Sequence, residues 1–516
     1  MWHWLLKIDS MGRSFGAYAP IVAVDKLITT ARVIVLTWVV GTFELGVWFL
    51  GVLVFSVLAP VATLGASDSV ARYVSYYQQR GQLGDFFRRA RLGVLAVAGL
   101  ATLAAAAACV PTAWALAGVG EVRLDFDRRL VVAALALANA VLMSLYHNLQ
   151  AFCRGLRVFR LLAAMDLAYA VLFSGLAVAA GLVYASGYAI LAAHAVSLGV
   201  MLVVGDLAAA KAVACSTGIL PVGPTAVPAV ENAEAPTGGT PAAAGETPVI
   251  LTGKMPVLRR LLGFGLAAMA ATVIWSVCNQ VSAWWVNRYL GAADVGIYAT
   301  FRQLCQPVWV LSGVLWGVLL GHVARDWEAG RGDEARRLMN LTYKAGTLGL
   351  TTLSVLLLVT SPWWIVALRP EYRPHLPLLA GLMVFYQGSA NLGLAGMAAR
   401  LREQPLALAG LVLLAAAVNV ALAPAWVARH GLQGAAWAAA AGMMCACAAG
   451  VVYLLAGRLR LDGANHVLAL SPAVLLLPGY WPGVAWAAVL AVAAATPLIL
   501  SRDEKVRLLR GLRWGR

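Results

Sequence analysis

Long apolar runs separated by short polar breaks fill most of the chain between residues 15 and 500. They fall at 15–40, 43–65, 92–117, 129–151, 161–185, 188–210, 261–287, 295–321, 343–368, 375–397, 405–427, 432–456, 464–479 and 482–500. Nearly every run has the ~20 residues that an α-helix needs to cross ~30 Å of hydrocarbon. All are expected to be helices, because open sheets and loops leave backbone groups unsatisfied in lipid. The pattern predicts an all-α polytopic membrane protein with about 14 transmembrane helices, six before a polar interval at 211–256 and eight after it. Pro472 and Pro478 make 464–479 the shortest and most interrupted run.

A second pattern lies over the first. Glu44-Leu45-Gly46-Val47-Trp48 opens one run, and Asp294-Val295-Gly296-Ile297-Tyr298 opens another. Gly84-Asp85-Phe86-Phe87-Arg88-Arg89 follows the first phrase, and Gly332-Asp333-Glu334-Ala335-Arg336-Arg337 follows the second. Both matches recur at an offset of about 250 residues and in the same order, which indicates an internal duplication. The expected organisation is an N-terminal transmembrane bundle at 1–210, a flexible cytoplasmic linker at 211–256 and a C-terminal bundle at 257–460. Residues 461–516 add two further helices and a basic cytoplasmic tail. Two related six-helix bundles are expected to hold a transport site between them.

Composition agrees with lipid as the main solvent. The chain is 61% hydrophobic and 12% charged, against about 25% charged residues in a soluble domain. The linker is punctuated by Pro221, Pro224, Pro228, Pro236, Pro241 and Pro248 in an Ala/Thr/Gly-rich stretch, which cannot bury a core. Met1 to Ser14 lacks the compact apolar core and small-residue cleavage site of a removable signal, so the first span is read as a retained anchor.

The net charge of +16 is distributed asymmetrically. With both termini cytoplasmic, most of the 39 Lys and Arg residues fall on the inner side, as the positive-inside rule requires. The expected location is the bacterial inner (plasma) membrane, and nucleic acid is not an expected partner. The tail after Leu500, with Arg502, Lys505, Arg507, Arg510 and Arg513, reads as an amphipathic segment on anionic lipid. Seven cysteines, mostly inside spans, make no disulfide framework. Cys445 and Cys447 point about 200° apart on a helix and make no metal pair. No metal or other cofactor is expected.

Ionisable groups inside a span cost about 2.5–3.5 kcal/mol each on insertion scales and usually face a cavity or a partner. The first span carries Asp25, Lys26 and Arg32, with Asp25, Thr29 and Arg32 on one face. Asp25 and Arg32 lie roughly 10 Å apart along the axis, too far for a firm pair, so Asp25 is free to pair with Lys26. The seventh span carries Asn279 and Gln280. The eighth carries Tyr298, Arg302 and Gln306 at i, i+4 and i+8. An arginine there suits forked recognition of phosphate. These eight residues are the candidate substrate-cavity set, each with the alternative of pairing between helices. His147 and His194 read as packing residues.

At this point the chain resembles a known family. Phe43-Glu44-Leu45-Gly46, Leu58-Ala59-Pro60-Val61-Ala62-Thr63-Leu64-Gly65 and Ala71-Arg72-Tyr73 are similar to the opening of bacterial polysaccharide (O-antigen) flippases. Gly291-Ala292-Ala293-Asp294-Val295-Gly296-Ile297-Tyr298 resembles the matching phrase of their second half. Asn419-Val420-Ala421-Leu422-Ala423-Pro424 and Gly431-Leu432-Gln433-Gly434-Ala435-Ala436 resemble their late signature. These flippases belong to the multidrug/oligosaccharidyl-lipid/polysaccharide exporter superfamily. The resemblance implies two six-helix bundles around a central cavity, with two extra helices in many flippases. It implies movement of undecaprenyl-pyrophosphate-linked oligosaccharide from the inner to the outer leaflet, for surface polysaccharide biosynthesis. Implied partners are the lipid-linked oligosaccharide, membrane lipid, polysaccharide assembly proteins, and H+ or Na+ as a coupling ion. Many relatives carry an acidic–basic pair where Ser282-Ala283 stands here, so a coupling role at that position does not carry over.

Rival readings bracket this one, and among relatives in the superfamily a lipid II flippase would carry an arginine-rich opening that is not found here. A cation-exporting antiporter of the same superfamily would favour an acidic, aromatic cavity, which Lys26, Arg32 and Arg302 oppose. A membrane polysaccharide ligase or glycosyltransferase would need acidic residues in a large outer loop, and the outer loops here are short. HExxH, a phosphate loop and a nucleophile elbow are all missing, so the chain is not expected to be an enzyme.

Overall fold

The computed structural model describes residues 11–63, 74, 77, 83–116, 125–156, 158–217, 254–328, 331–402, 404–456 and 461–513. The first half comprises α1 (Met11–Val39), α2 (Thr42–Thr63), α3 (Leu83–Ala115), α4 (Phe126–Gly155), α5 (Phe159–Tyr184) and α6 (Gly187–Thr217). The second half comprises α7 (Lys254–Tyr289), α8 (Ala292–Glu328), α9 (Gly332–Val359), α10 (Leu378–Asn391), α11 (Gly393–Leu401) and α12 (Pro405–Ala456). Then come α13 (Gly463–Ala469), which continues as a 3-10 turn at Ser471–Leu476, α14 (Trp481–Ala495) and α15 (Arg502–Arg513).

Eight helices among the described residues are long and apolar enough to cross a membrane. One of them, α12, is two passages, because Gly431 leaves helical geometry at φ 57°, ψ −138°. The limbs fold back on each other: a side chain at Gly434 would strike the Trp426 carbonyl, and one at Gly442 the Ala415 carbonyl. With α1, α7, α8 and the shorter α13 and α14, the fourteen expected passages are helical.

The boundaries differ from the hydropathy limits in a systematic way. Helix α3 begins at Leu83 rather than 92, α7 at Lys254 rather than 261, and α8 runs to Glu328 rather than 321. Helix α6 continues to Thr217, into the interval read as linker, of which 218–253 lie outside the described residues. Hydropathy marks where lipid begins, while a helix continues into the hydrated interface as long as its backbone bonds are made. The run at 343–368 shows the opposite: the helix stops at Val359, and residues 361–375 fold into short turns around Pro362, Pro370 and Pro374. Proline there removes donors that a continuing helix would need.

Both copies of the Gly-Asp-x-x-Arg-Arg phrase do the same work. Each starts a helix, with Asp85 in the first turn of α3 and Asp333 in the first turn of α9. Each aspartate pairs with the arginine three residues on, Arg88 at 3.2 Å and Arg336 at 3.6 Å. Acidic groups at helix N-termini complement the dipole.

The other repeated phrase is where the halves meet. Helices α2 and α8 cross at Gly46 and Gly296 with no room for a side chain on either. A Cβ on Gly46 would fall on the Ala292 carbonyl and 3.2 Å from the Gly296 nitrogen. One on Gly296 would fall on the Thr42 carbonyl and 2.9 Å from the Gly46 nitrogen. The contact is reciprocal, as across a two-fold axis. At the same end, Trp38 Nε1 donates to the Ala367 carbonyl (2.6 Å) and Asn287 Nδ2 to the Leu116 carbonyl (3.2 Å). Tyr372, in the turn that follows Ala367, is fully buried 6.4 Å from Phe301, and burial pushes its phenol up to about 12.

Candidate functional site

The α7–α8 hairpin turns at Gly291, which takes φ 105°. Gln280 precedes this glycine and Arg302 follows it at equal separation, so the two face each other across the antiparallel pair. Eleven residues of helix put both about 16 Å from the turn, near the middle of a bilayer. There Arg302 Nη1 donates to the Asn279 carbonyl (2.8 Å) and to Gln280 Oε1 (2.7 Å). The Tyr386 phenol lies beside the same guanidinium. Both bonds to α7 leave from Nη1, so the Tyr386 phenol and any further acceptor fall to the other guanidinium nitrogens.

Gln280 also reaches the other half. Its Nε2 donates to Ser56 Oγ on α2 at 2.7 Å. This hydrogen bond joins the halves ten positions along α2 from Gly46. Ser56, Gln280 and Arg302 thus form a chain across the seam. Pro307, inside α8 just beyond Arg302, removes the hydrogen bond that the Gln303 carbonyl would otherwise accept and weakens the helix at that level.

The remaining second-half candidates are close to this point but not equivalent to it. Asn279 contributes its carbonyl to Arg302, while its side-chain Nδ2 caps the Trp275 carbonyl at 3.1 Å. Tyr298, one turn from Arg302, is fully buried with its phenol toward Ser282, a packing position. Gln306 is half-buried one turn beyond Arg302, on the same side of α8.

The first-half candidates form a separate cluster inside their own bundle. Asp25 pairs with Lys26 at 2.6 Å, on adjacent positions of α1. Arg32 is 8% exposed and lies over the Phe173 ring of α5 at 4.2 Å, with Trp48 of α2 at 5.9 Å. Its buried Nε has no partner. His194 of α6 packs with tilted rings against Phe173 (4.6 Å) and Phe55 (4.9 Å), as expected of a packing histidine. Arg32 is therefore held by cation–π contact between α1, α2 and α5, on the interior of the first bundle rather than at the Ser56–Gln280 seam. Asp166 of α5 accepts from Gln150 (2.6 Å) and Tyr146 (3.2 Å) of α4.

Sequence reasoning passed over Ser56 and Tyr386 as neighbours of Arg302. Ser56 had a signal: it is the lone polar side chain between Phe49 and Val61. Tyr386 had none, because nothing local marks which face of α10 meets α8. A third polar group also went unread. Lys344 of α9, with 4% of its side chain exposed, is held by Asp462 (2.5 Å) and Glu504 (3.0 Å). It ties the start of α13 and the C-terminal α15 to the second bundle. Among the described residues no group of three His, Cys, Asp or Glu could hold a metal ion.

No family model matches the sequence, and no curated protein matches it. Solved structures do match in fold. An inward-facing multidrug resistance MATE family transporter of the MOP superfamily aligns with TM-score 0.59 at 15% identity, over 86% of this chain and 95% of that one. The lipid II flippase MurJ in an inward closed conformation aligns with TM-score 0.59 at 10% identity, over 96% and 99%. An outward-facing MATE transporter aligns with TM-score 0.55 at 14% identity, over 90% and 98%. At these identities the likeness is one of fold: the chain has the two-bundle polytopic architecture that those proteins share.

Proposed function

We propose that the chain is a flippase that moves a polyprenyl-pyrophosphate-linked oligosaccharide across the bacterial inner membrane, for surface polysaccharide biosynthesis. The observation that carries the reading is Arg302. A guanidinium sits at mid-membrane depth, next to the seam between two related bundles, with its bonds to α7 confined to Nη1, and a guanidinium suits phosphate. Placing a charge there costs about 2.5–3.5 kcal/mol on insertion scales, which a pyrophosphate ligand would offset.

The mechanism follows from the contacts. With both termini cytoplasmic, the Gly46–Gly296 end faces the outside, and this backbone contact closes the site on that side. The pyrophosphate enters from the cytoplasmic leaflet to meet Arg302 while the polyprenyl chain stays in lipid. Rocking of the halves then separates Gly46 from Gly296 and breaks the Ser56–Gln280 hydrogen bond, which opens the site outward. H+ or Na+ would drive the cycle, with the Asp25–Lys26 pair and Asp166 as the acidic groups of the first bundle.

A second reading, a cation antiporter, is favoured by the equal fold likeness to a MATE transporter and by those two carboxylates. The cationic seam is what argues against it. The full-length protein in proteoliposomes, given a fluorescent polyprenyl-pyrophosphoryl oligosaccharide, should move it to the opposite leaflet. Arg302→Gln should slow this roughly 10- to 100-fold, the worth of a charge-assisted bond, and Arg302→Lys should retain part of the rate. A wild type that leaves the lipid in place yet exchanges a cationic dye for protons would transfer the assignment to the antiporter.

A further inference from the structure

Three aromatic rings are stacked at the level next to Arg302. Phe385 of α10 lies 6.4 Å from Trp275 of α7 with 14° between planes, and Trp275 lies 5.5 Å from Trp309 of α8 with 24° between planes. The column starts in the core, where Phe385 is buried, and ends at Trp309, which is half-buried. Among the described residues no further ring covers Trp309. Neither indole N–H of the pair is hydrogen-bonded among the described residues, whereas Trp316 and Trp486 both donate theirs. Trp309 therefore ends the aromatic column, half-buried, with its indole N–H uncommitted among the described residues.

Its position is set by helix geometry. Trp309 follows Arg302 by seven residues, which returns it to the same face of α8, about 10 Å further from the Gly291 turn. Gln306 stands between them on that face. Trp275 precedes Asn279 by one turn on the antiparallel α7, which is why the two indoles meet. The hairpin thus presents, in order, a guanidinium, an amide and a flat aromatic end. A pyrophosphate joined to a pyranose has the same order and nearly the same spacing. The apolar C–H face of a sugar ring fits an aromatic plane, and its hydroxyls fit an amide and an indole N–H.

The geometry points to Trp309 as a stacking platform for the first sugar of the cargo, with Gln306 hydrogen-bonding that sugar. This rests on the flippase reading and deepens it: Arg302 takes the pyrophosphate, and the indole distinguishes a glycosylated lipid from a bare one. The Trp309 ring is the end of a column anchored in the core, so it is held rigid before the ligand arrives. Rigidity lowers the ordering cost of binding.

The test compares two probes on the purified full chain in detergent: a polyprenyl pyrophosphate carrying one hexose, and the same lipid without sugar. Wild type should bind the glycosylated probe roughly tenfold more tightly, the scale on which a planar ligand stacks on an aromatic side chain. Trp309→Leu should abolish that preference while leaving affinity for the bare pyrophosphate lipid unchanged, which also shows that the variant is folded. Trp309→Phe, which keeps a ring plane, should restore most of the preference. A wild type with no preference, or a Trp309→Leu variant that keeps it or loses affinity for both probes equally, overturns the platform. A wild type that binds neither probe overturns the flippase reading instead.

Discussion

Gly46 and Gly296 occupy equivalent places in the two repeats, and backbone of the opposite helix fills the space of each one's side chain, the Ala292 carbonyl at Gly46 and the Thr42 carbonyl at Gly296. The contact is backbone on backbone, so it tolerates no enlargement. Gly46→Val or Gly296→Val should push α2 and α8 apart and weaken this closed end by about 1–3 kcal/mol, the usual cost of overpacking. That is a roughly 5- to 150-fold change in the balance of closed and open forms. The population is measurable by spin labels across the seam at that end. Unchanged label distances in both variants would mean that the glycines are not a gate.

The Ser56–Gln280–Arg302 chain links the halves through a single amide. Ser56→Ala removes only the cross-half bond, and Gln280→Leu removes both. Ser56→Ala should therefore ease separation of the halves by about 0.5–1.5 kcal/mol. Gln280→Leu should cost more, because it also leaves a half-buried guanidinium short of an acceptor. A double-mutant cycle on thermal stability should give a coupling term between the two sites. Strict additivity would show that the 2.7 Å contact carries no energy.

Lys344 is a buried cation with two carboxylates, one from each C-terminal element. Lys344→Met should leave Glu504 and Asp462 without their counter-charge and free α15 from the bundle. Breaking a buried pair from one side costs about 3–5 kcal/mol, reduced here because Asp462 is half exposed. Limited proteolysis should then cleave the segment after Leu500 much faster than in wild type. Glu504→Gln should give a smaller increase, since Asp462 still holds the lysine. Equal protection in all three would remove the lock.

Topology can be read with single cysteines in a cysteine-free background. Gly187 is unsuitable, because a side chain there would strike the Glu44 carbonyl. Tyr184, 71% exposed at the end of α5, is the better outer position, and Gly84, with open space around it, the inner one. A cysteine at Tyr184 should react with an impermeant thiol reagent from outside and one at Gly84 should not. The reverse pattern would invert the assigned orientation.

The fourteen passages and the duplication were legible because each depends on local pattern: run length, a glycine phrase, an acidic helix start. The adjacent Asp25–Lys26 pair was legible for the same reason. Arg302 was found as a costly charge, and its hairpin partners Asn279 and Gln280 were found as polar groups in the preceding span. Periodicity shows which residues share a face but not what that face meets. Ser56 is 224 positions from Gln280, and only the crossing of α2 and α8 brings them together. Arg32 has the same residue type and similar depth as Arg302, yet folds onto Phe173 within its own bundle, and no spacing rule separates the two cases. The helix ends were misjudged wherever polar residues continue a helix outside lipid, as in α6 at Thr217.

The last two passages are short. Helix α13 with its 3-10 turn spans seven and six residues, and α14 spans fifteen, so each reaches only roughly 22 Å. The kink between α13 and its 3-10 turn keeps its polar groups satisfied, since Asn391 donates to the Leu468 (3.1 Å) and Ala469 (3.3 Å) carbonyls. A bilayer of ~30 Å cannot meet both ends of such a pair without deforming. A mismatch of this size is met by thinning of the bilayer beside α13 and α14 or by flanking side chains that reach out to its interface. Where the bilayer thins, water and polar headgroups stand closer to mid-membrane along this flank of the second bundle than around the thirty-residue helices of the first. The shortest passages of the chain thus lie beside the anchor that Lys344 makes to the start of α13 and to α15.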